Sequence, residues 1–247
     1  MRELFLSGRA ELVKMRHTFL YPLHILAAVC GSGIFLLYYR RAVSSEWTQL
    51  SALGEVIGIA LPLAVSLVCA GSVRLEEENH FQVFLAGTVC KHHAFRAKCL
   101  ILWLLGACAI AGTVLLFEAG SCVWLGRKIV PVQIILALVL VLCLGSVPLY
   151  LEHLFLSLRF SGAVSMGTGT VQFILSALFL TGLGNGRWQF FPCTWSARGA
   201  ALLSASVKGG EDGVFSISEW SGWMGTCLLI LTVLYVIIRI WFYFREQ

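Results

Sequence analysis

Long apolar stretches alternate with shorter polar ones along the whole chain. Six predominantly apolar runs stand out, at about 18–39, 50–72, 99–119, 129–151, 163–183 and 222–244. Each is close to the ~20 residues that cross the hydrocarbon core of a bilayer as an α-helix. A backbone in hydrocarbon must satisfy its own N–H and C=O groups, and runs of this length do so as helices. Strands of a membrane barrel would be about half as long and would alternate in polarity. The pattern therefore predicts an all-α, polytopic membrane protein with six transmembrane helices in one domain covering 1–247, without internal repeats or linkers.

Two intervals break the rhythm, at 73–98 and 184–221; intervals this long in a compact chain usually carry function. In the first, Leu75, Phe81, Phe84 and Leu85 recur near helical spacing, and Glu76, Glu77 and Glu78 stand at its beginning. Acidic side chains in a first turn favour a helix through the backbone dipole. Lys91, Arg96 and Lys98 close the interval, so the pattern predicts amphipathic helix that is acidic at its start and basic at its end. The plain reading is a helix lying on lipid. Three adjacent acids would be repelled by an anionic leaflet, which favours a docking surface for a cytoplasmic partner. The N-terminal stretch 1–17 is also amphipathic. Leu4, Phe5, Leu12 and Met15 oppose Arg9, Glu11, Lys14 and Arg16, and the segment is expected along the inner interface. It does not read as a cleavable leader.

Composition agrees with lipid as solvent. The chain is 58% hydrophobic and 13% charged, against about a quarter charged in soluble domains. Its net charge of +5 is scattered between the runs, which argues against a nucleic-acid partner. With the N-terminus inside, eleven Lys and Arg fall on the inner side and seven outside. The positive-inside rule then places both termini in the cytoplasm, with Arg40–Arg41 and Arg127–Lys128 on the minority side. The nine cysteines form no CxxC pair. Cys30, Cys69, Cys108, Cys143 and Cys227 read as small core residues, whereas Cys122 and Cys193, in two outer connections, leave a disulfide open.

The chain carries none of the familiar catalytic patterns. There is no GxxxxGK[ST] phosphate loop and no HExxH zinc pair. His92 and His93 are adjacent and point about 100° apart on a helix. His80 follows the acidic triplet without the Arg of an EExxxR pattern. His24 is the one histidine expected inside a span, where packing or interhelical bonding is its ordinary role. Glu55, Glu118 and Glu152 fall near span ends, where a charge is cheap. The small-residue run 161–170 suits close helix packing, since a span follows it. No catalytic residue, metal or cofactor is expected.

The outer stretch Thr181-Gly-Leu-Gly-Asn-Gly-Arg-Trp-Gln-Phe-Phe-Pro-Cys-Thr-Trp-Ser-Ala-Arg198 joins glycine turns to aromatics. Aromatics of this kind anchor a segment among lipid headgroups. The stretch also resembles a glycine-rich segment before the last helix in permease subunits of lantibiotic-immunity ABC exporters, within the type-2 ABC exporter permeases. Gly182, Gly184, Asn185, Gly186, Trp188, Pro192, Trp195 and Arg198 carry the likeness, with Asn185 where an acidic residue is expected. Glu11-Leu-Val-Lys14 and the acidic stretch Glu76–Gln82 followed by Arg96-Ala-Lys98 resemble that family's amphipathic start and coupling region. The resemblance implies a coupling helix at Glu76, Glu77, Glu78, Phe81 and Phe84 docked on a cytoplasmic ABC ATPase subunit that binds the ATP and Mg. It implies a second related permease, a lantibiotic-type peptide expelled from the membrane, and contact of peptide or lipid with the outer motif. A membrane-embedded protease or lipid-modifying enzyme, and a non-transporting sensor or scaffold subunit, are the competing readings.

Overall fold

The computed structural model describes residues 2–16, 18–42, 44–79, 91–208 and 217–246. Its helices are α1 (Arg2–Met15), α2 (Leu20–Tyr39), α3 (Glu46–Glu78), α4 (Lys91–Leu125), α5 (Val132–Arg159), α6 (Gly162–Phe179), α7 (Trp195–Lys208) and α8 (Ile217–Glu246). No strand occurs among the described residues. α2 to α6 and α8 contain the six stretches long and apolar enough to cross a membrane, one for each apolar run in the sequence. Phe242 near the end of α8 packs on Phe95 near the start of α4, and Glu11 of α1 reaches Lys98 of the same helix. The first and last helices thus both pack on the start of α4, at the end of the bundle called here the α1 end.

Two helices overrun the predicted spans. α3 has 33 residues and α4 has 35, so each is roughly 50 Å long at 1.5 Å per residue. The run of apolar residues stops at Arg74, yet the helix continues for another turn, in which Arg74 pairs with Glu78 at 3.2 Å and Glu76 is buried. Most of the expected 73–98 connection is therefore the continuous ends of α3 and α4. Its centre, with His80, Phe81 and Phe84, lies outside the described residues.

Local chemistry accounts for the starts of the spans. Ser45 caps α3 by accepting from the Thr48 N–H, and Ser161 caps α6 by accepting from Val164. Arg127, just beyond the left-handed Gly126, donates to the carbonyls of Tyr39 and Ala42, tying the α2–α3 turn to the end of α4.

Small residues bring α6 against α3, as the 161–170 run predicts. A Cβ at Gly169 would collide with the Ser66 side chain, and one at Gly162 would press on Ala70. Pro62 in α3 and Pro148 in α5 interrupt the backbone ladders of two helices that share α7. Near the Pro148 break, side chains supply donors to main-chain carbonyls: Trp103 and Ser146 to Cys143, and Ser196 to Leu142.

The 184–221 interval differs most from expectation. It contains α7, whose Ala197 backbone lies against Gly58, twelve residues into α3 and so about 18 Å from the start of that helix. The chain folds back into the bundle after α6. Three short 3-10 turns, Gly182–Gly184, Trp188–Phe190 and Pro192–Thr194, carry it from α6 to α7. The physical reason is glycine: Gly54, Gly58 and Gly145 lack the Cβ atoms that would exclude α7 from α3 and α5. Cysteines are also redistributed. Cys69 and Cys143 are buried, Cys30 and Cys108 face outward, and Cys193 is buried while Cys122 is exposed, with both of the last two as free thiols.

Candidate functional site

The motif residues of the α6–α7 connection converge on one guanidinium. Arg198, on the first turns of α7, donates from Nε to the Phe179 carbonyl at 2.6 Å. Its Nη2 donates to the Thr181 carbonyl at 2.7 Å and to Asn185 Oδ1 at 3.1 Å. The Phe179 carbonyl ends α6 and has no intrahelical partner, the Thr181 carbonyl also accepts the Gly184 N–H, and a planar fork reaches both at once. Gly184 is buried against the Phe179 carbonyl and Arg198 Nη2, so even a methyl group there would clash. Gly186 has φ +72°, a left-handed turn suited to glycine, whereas Gly182 is exposed. Asn185 uses its amide oxygen where an acid is expected, and an oxygen acceptor suffices for the Arg198 bond.

The aromatics of the motif work inside the protein. Trp195 is 1% exposed and donates through Nε1 to the Gln189 carbonyl at 2.9 Å. Trp188 is buried beside Trp223 of α8, ring centroids 5.8 Å apart. Thr194 Oγ1 donates to the Trp188 carbonyl at 2.8 Å, and Pro192 begins the last 3-10 turn. Trp188 and Trp195 therefore hold α7 and α8 together instead of anchoring a free loop in headgroups. The apolar side chains that face outward here are Leu183, Phe190 and Phe191.

A second cluster occupies the α1 end. Lys98 Nζ lies 2.6 Å from Glu11 Oε2, 2.9 Å from Glu76 Oε1 and 3.2 Å from Ser72 Oγ. Lys14 Nζ lies 2.8 Å from both Glu11 Oε1 and Glu76 Oε1. Two acids and two lysines thus form a closed, neutral square that joins α1, α3 and α4. The side chains of Lys98 and Glu76 are each 2% exposed, and charges so far from water persist only when paired and hydrogen-bonded. Burial of Lys14 works against its charge, but the two carboxylate hydrogen bonds and their negative charge prevail and hold its pKa above the ordinary lysine value.

This arrangement exchanges two expected positions on α1: Glu11 is buried and Leu12 exposed, while Met15 is buried and Arg9 and Arg16 are exposed as the pattern predicts. Gly8, Glu11 and Met15, at helical spacing, face the protein, while Leu12 and Val13 face outward. It also divides the acidic triplet. Glu76 turns inward onto the lysines and is not a surface acid, whereas Glu77 and Glu78 remain exposed. The sequence reasoning missed Glu11, Lys14 and Lys98 as partners. The usable signal was a lysine at the mouth of a span together with a Glu–Lys pair three residues apart on a short helix.

A third polar group was excluded by a span boundary drawn at 151. His153 is fully buried within α5, so His24, which is only half-buried, is not the sole histidine inside a span helix. His153 Nδ1 lies 3.1 Å from Ser165 Oγ and Nε2 lies 3.0 Å from Gln172 Oε1. Gln172 in turn donates to Glu152 Oε1 at 2.7 Å. Ser165 Oγ donates to the His153 carbonyl and is itself fully buried, so this chain of bonds joins α5 to α6. His92 packs edge-on against Tyr235 and Phe242. Among the described residues, no three His, Cys, Asp or Glu side chains gather as a metal site.

No known protein family, curated protein or solved structure matches this chain. The functional reading accordingly rests on the helices, the clusters described above and the motif likeness.

Proposed function

We propose that the chain is the membrane-spanning subunit of an ABC exporter that protects its cell by expelling a lantibiotic-type peptide from the membrane. One observation carries the proposal. Five of the eight residues that bear the family likeness, Gly184, Asn185, Trp188, Trp195 and Arg198, pack or hydrogen-bond within the α6–α7 turn and its neighbours.

In this reading the N- and C-termini are cytoplasmic and the α1 end faces a separate ATPase subunit, which binds ATP and Mg. Glu77 and Glu78 present the docking charge. Glu76 belongs to the ion square behind them, which makes α1, α3 and α4 move as one body when the ATPase closes. The exposed Leu183 and Phe190 beside the Arg198 cage offer an apolar contact for the amphiphilic peptide, and a second related permease completes the path.

The test is co-expression with an ATPase subunit, followed by co-purification and a peptide-survival assay. The double variant Glu77→Lys/Glu78→Lys is expected to lose at least tenfold in recovered ATPase and to lose resistance, while running as a monodisperse species on size exclusion. Unchanged association and resistance would remove the docking assignment. A strain lacking the chain that kept full resistance but lost a peptide-triggered transcriptional response would replace transport with sensing.

A further inference from the structure

We propose that the cavity between α2, α3 and α4 binds one alkyl chain of a bilayer lipid whose polar end carries a hydroxyl group. The proposal requires only that the chain sit in a membrane, and it is independent of the exporter reading.

The cavity holds about 260 Å³ and is lined from α2, α3 and α4, with Tyr150 of α5 contributing to its wall. Every lining residue belongs to a helix long and apolar enough to span a bilayer. The lining residues of α2 run from Leu23 to Phe35, twelve residues or about 18 Å along the helix axis. Small side chains create the space: Ala27 and Gly31 on one wall and Ala60 and Ala64 on the other. The shape is a slot along the span, and hydrocarbon is the solvent beside it.

The two ends of the slot differ in chemistry. Toward the far end the wall is Phe35, Leu53 and Val56. Toward the α1 end it carries His24 and Tyr150. His24 Nδ1 lies 2.6 Å from the Leu20 carbonyl. A carbonyl only accepts, so Nδ1 carries the proton, and in the neutral ring Nε2 is left as an acceptor. That Nε2 is buried and has no hydrogen-bond partner among the described residues. Tyr150 is 3% exposed, and its hydroxyl lies beside Gly106, which lines the cavity with it. A buried acceptor without a donor is costly. A hydroxyl on the ligand donates to His24 Nε2 and can accept from Tyr150. A long-chain alcohol or a monoacylglycerol satisfies both ends of the slot; a fatty acyl methyl ester, which has no donor, satisfies only the apolar part.

The probe is a monoacylglycerol with a diazirine in its acyl chain, photolysed with the purified full-length protein in detergent and mapped by mass spectrometry. Labelling is expected on the cavity-lining segments of α2, α3 and α4. Ala60→Phe, which fills the slot, is expected to lower it at least tenfold with the melting temperature held within a few degrees. Should Ala60→Phe not fold, Ala27→Leu on the opposite wall reads the same point. Unlabelled monoolein is expected to compete about fivefold better than methyl oleate, the worth of one hydrogen bond, and this preference should vanish in His24→Phe. Labelling spread evenly over the lipid-facing helices, or unchanged by both filling variants, overturns the site. Equal competition by the two lipids overturns the assignment of the hydroxyl.

Discussion

Replacing Lys98 by methionine tests whether the ion square holds α1 to the bundle. Lys98 makes three contacts, at 2.6 Å to Glu11, 2.9 Å to Glu76 and 3.2 Å to Ser72. Methionine fills nearly the same space but leaves two buried carboxylates sharing Lys14 alone, a net charge of −1 where there was none. Removing one partner of a buried pair costs about 3–5 kcal/mol. Lys14 still touches both acids at 2.8 Å, which places Lys98→Met near the lower end, about 3 kcal/mol. The Lys14 side chain is 25% exposed, so water partly screens the acids when it is removed, and Lys14→Met should cost less than Lys98→Met. Glu76→Gln/Lys98→Met removes one charge of each sign, keeps the Glu11–Lys14 pair, and should recover more than half of the loss. The assay is unfolding in mixed micelles followed by tryptophan fluorescence, with limited trypsin cleavage at Arg9 and Arg16 to report release of α1. The reasoning is refuted if Lys98→Met costs no more than Lys14→Met, or if the double variant is as unstable as the sum of its singles.

The Arg198 cage should tolerate Asn185→Asp, which keeps the oxygen acceptor and adds attraction, whereas Arg198→Lys loses the fork and about 1.5–3 kcal/mol in the same unfolding assay. Gly184→Ala should be worse than Gly182→Ala by about 1–3 kcal/mol, because only the former collides with the Phe179 carbonyl. The Lys14 contribution has a definite sign in pH: its folded pKa is raised, so it is complete below the ordinary value of 10.5 and is lost as pH climbs through the raised value. Tryptic release of α1 should therefore be flat from neutral pH to about 10 and rise above it; release beginning near neutrality would contradict the assignment. In single-cysteine proteins, Cys122 should react with a small maleimide while buried Cys193 reacts only after unfolding; equal rates would place the α6–α7 turn at the surface.

Membrane class, number of spans and helical type follow from the sequence alone, because lipid imposes a length and a hydropathy on any segment that crosses it, and those are properties of consecutive residues. The glycine-rich stretch 181–198 was legible as a distinct feature for the same reason: its turn residues and aromatics are neighbours in the chain. The partners of charged residues were not legible. Glu76 reads identically to Glu77 and Glu78 in the sequence, and it is the approach of α1 and α4 that turns one of the three inward. Glu11 lies on the polar side of a helical wheel but is buried, because Lys98, 87 positions later, compensates its charge. His153 lies two residues past the apolar run 129–151, although the helix runs on to Arg159. The entry of α7 between α3 and α5 depends on glycines that are unremarkable one at a time and coincide only when the helices pack. One-dimensional pattern records the solvent around a segment; which side chains neutralise one another, and where backbones approach, is set by segments far apart in the chain and was decided by the tertiary structure.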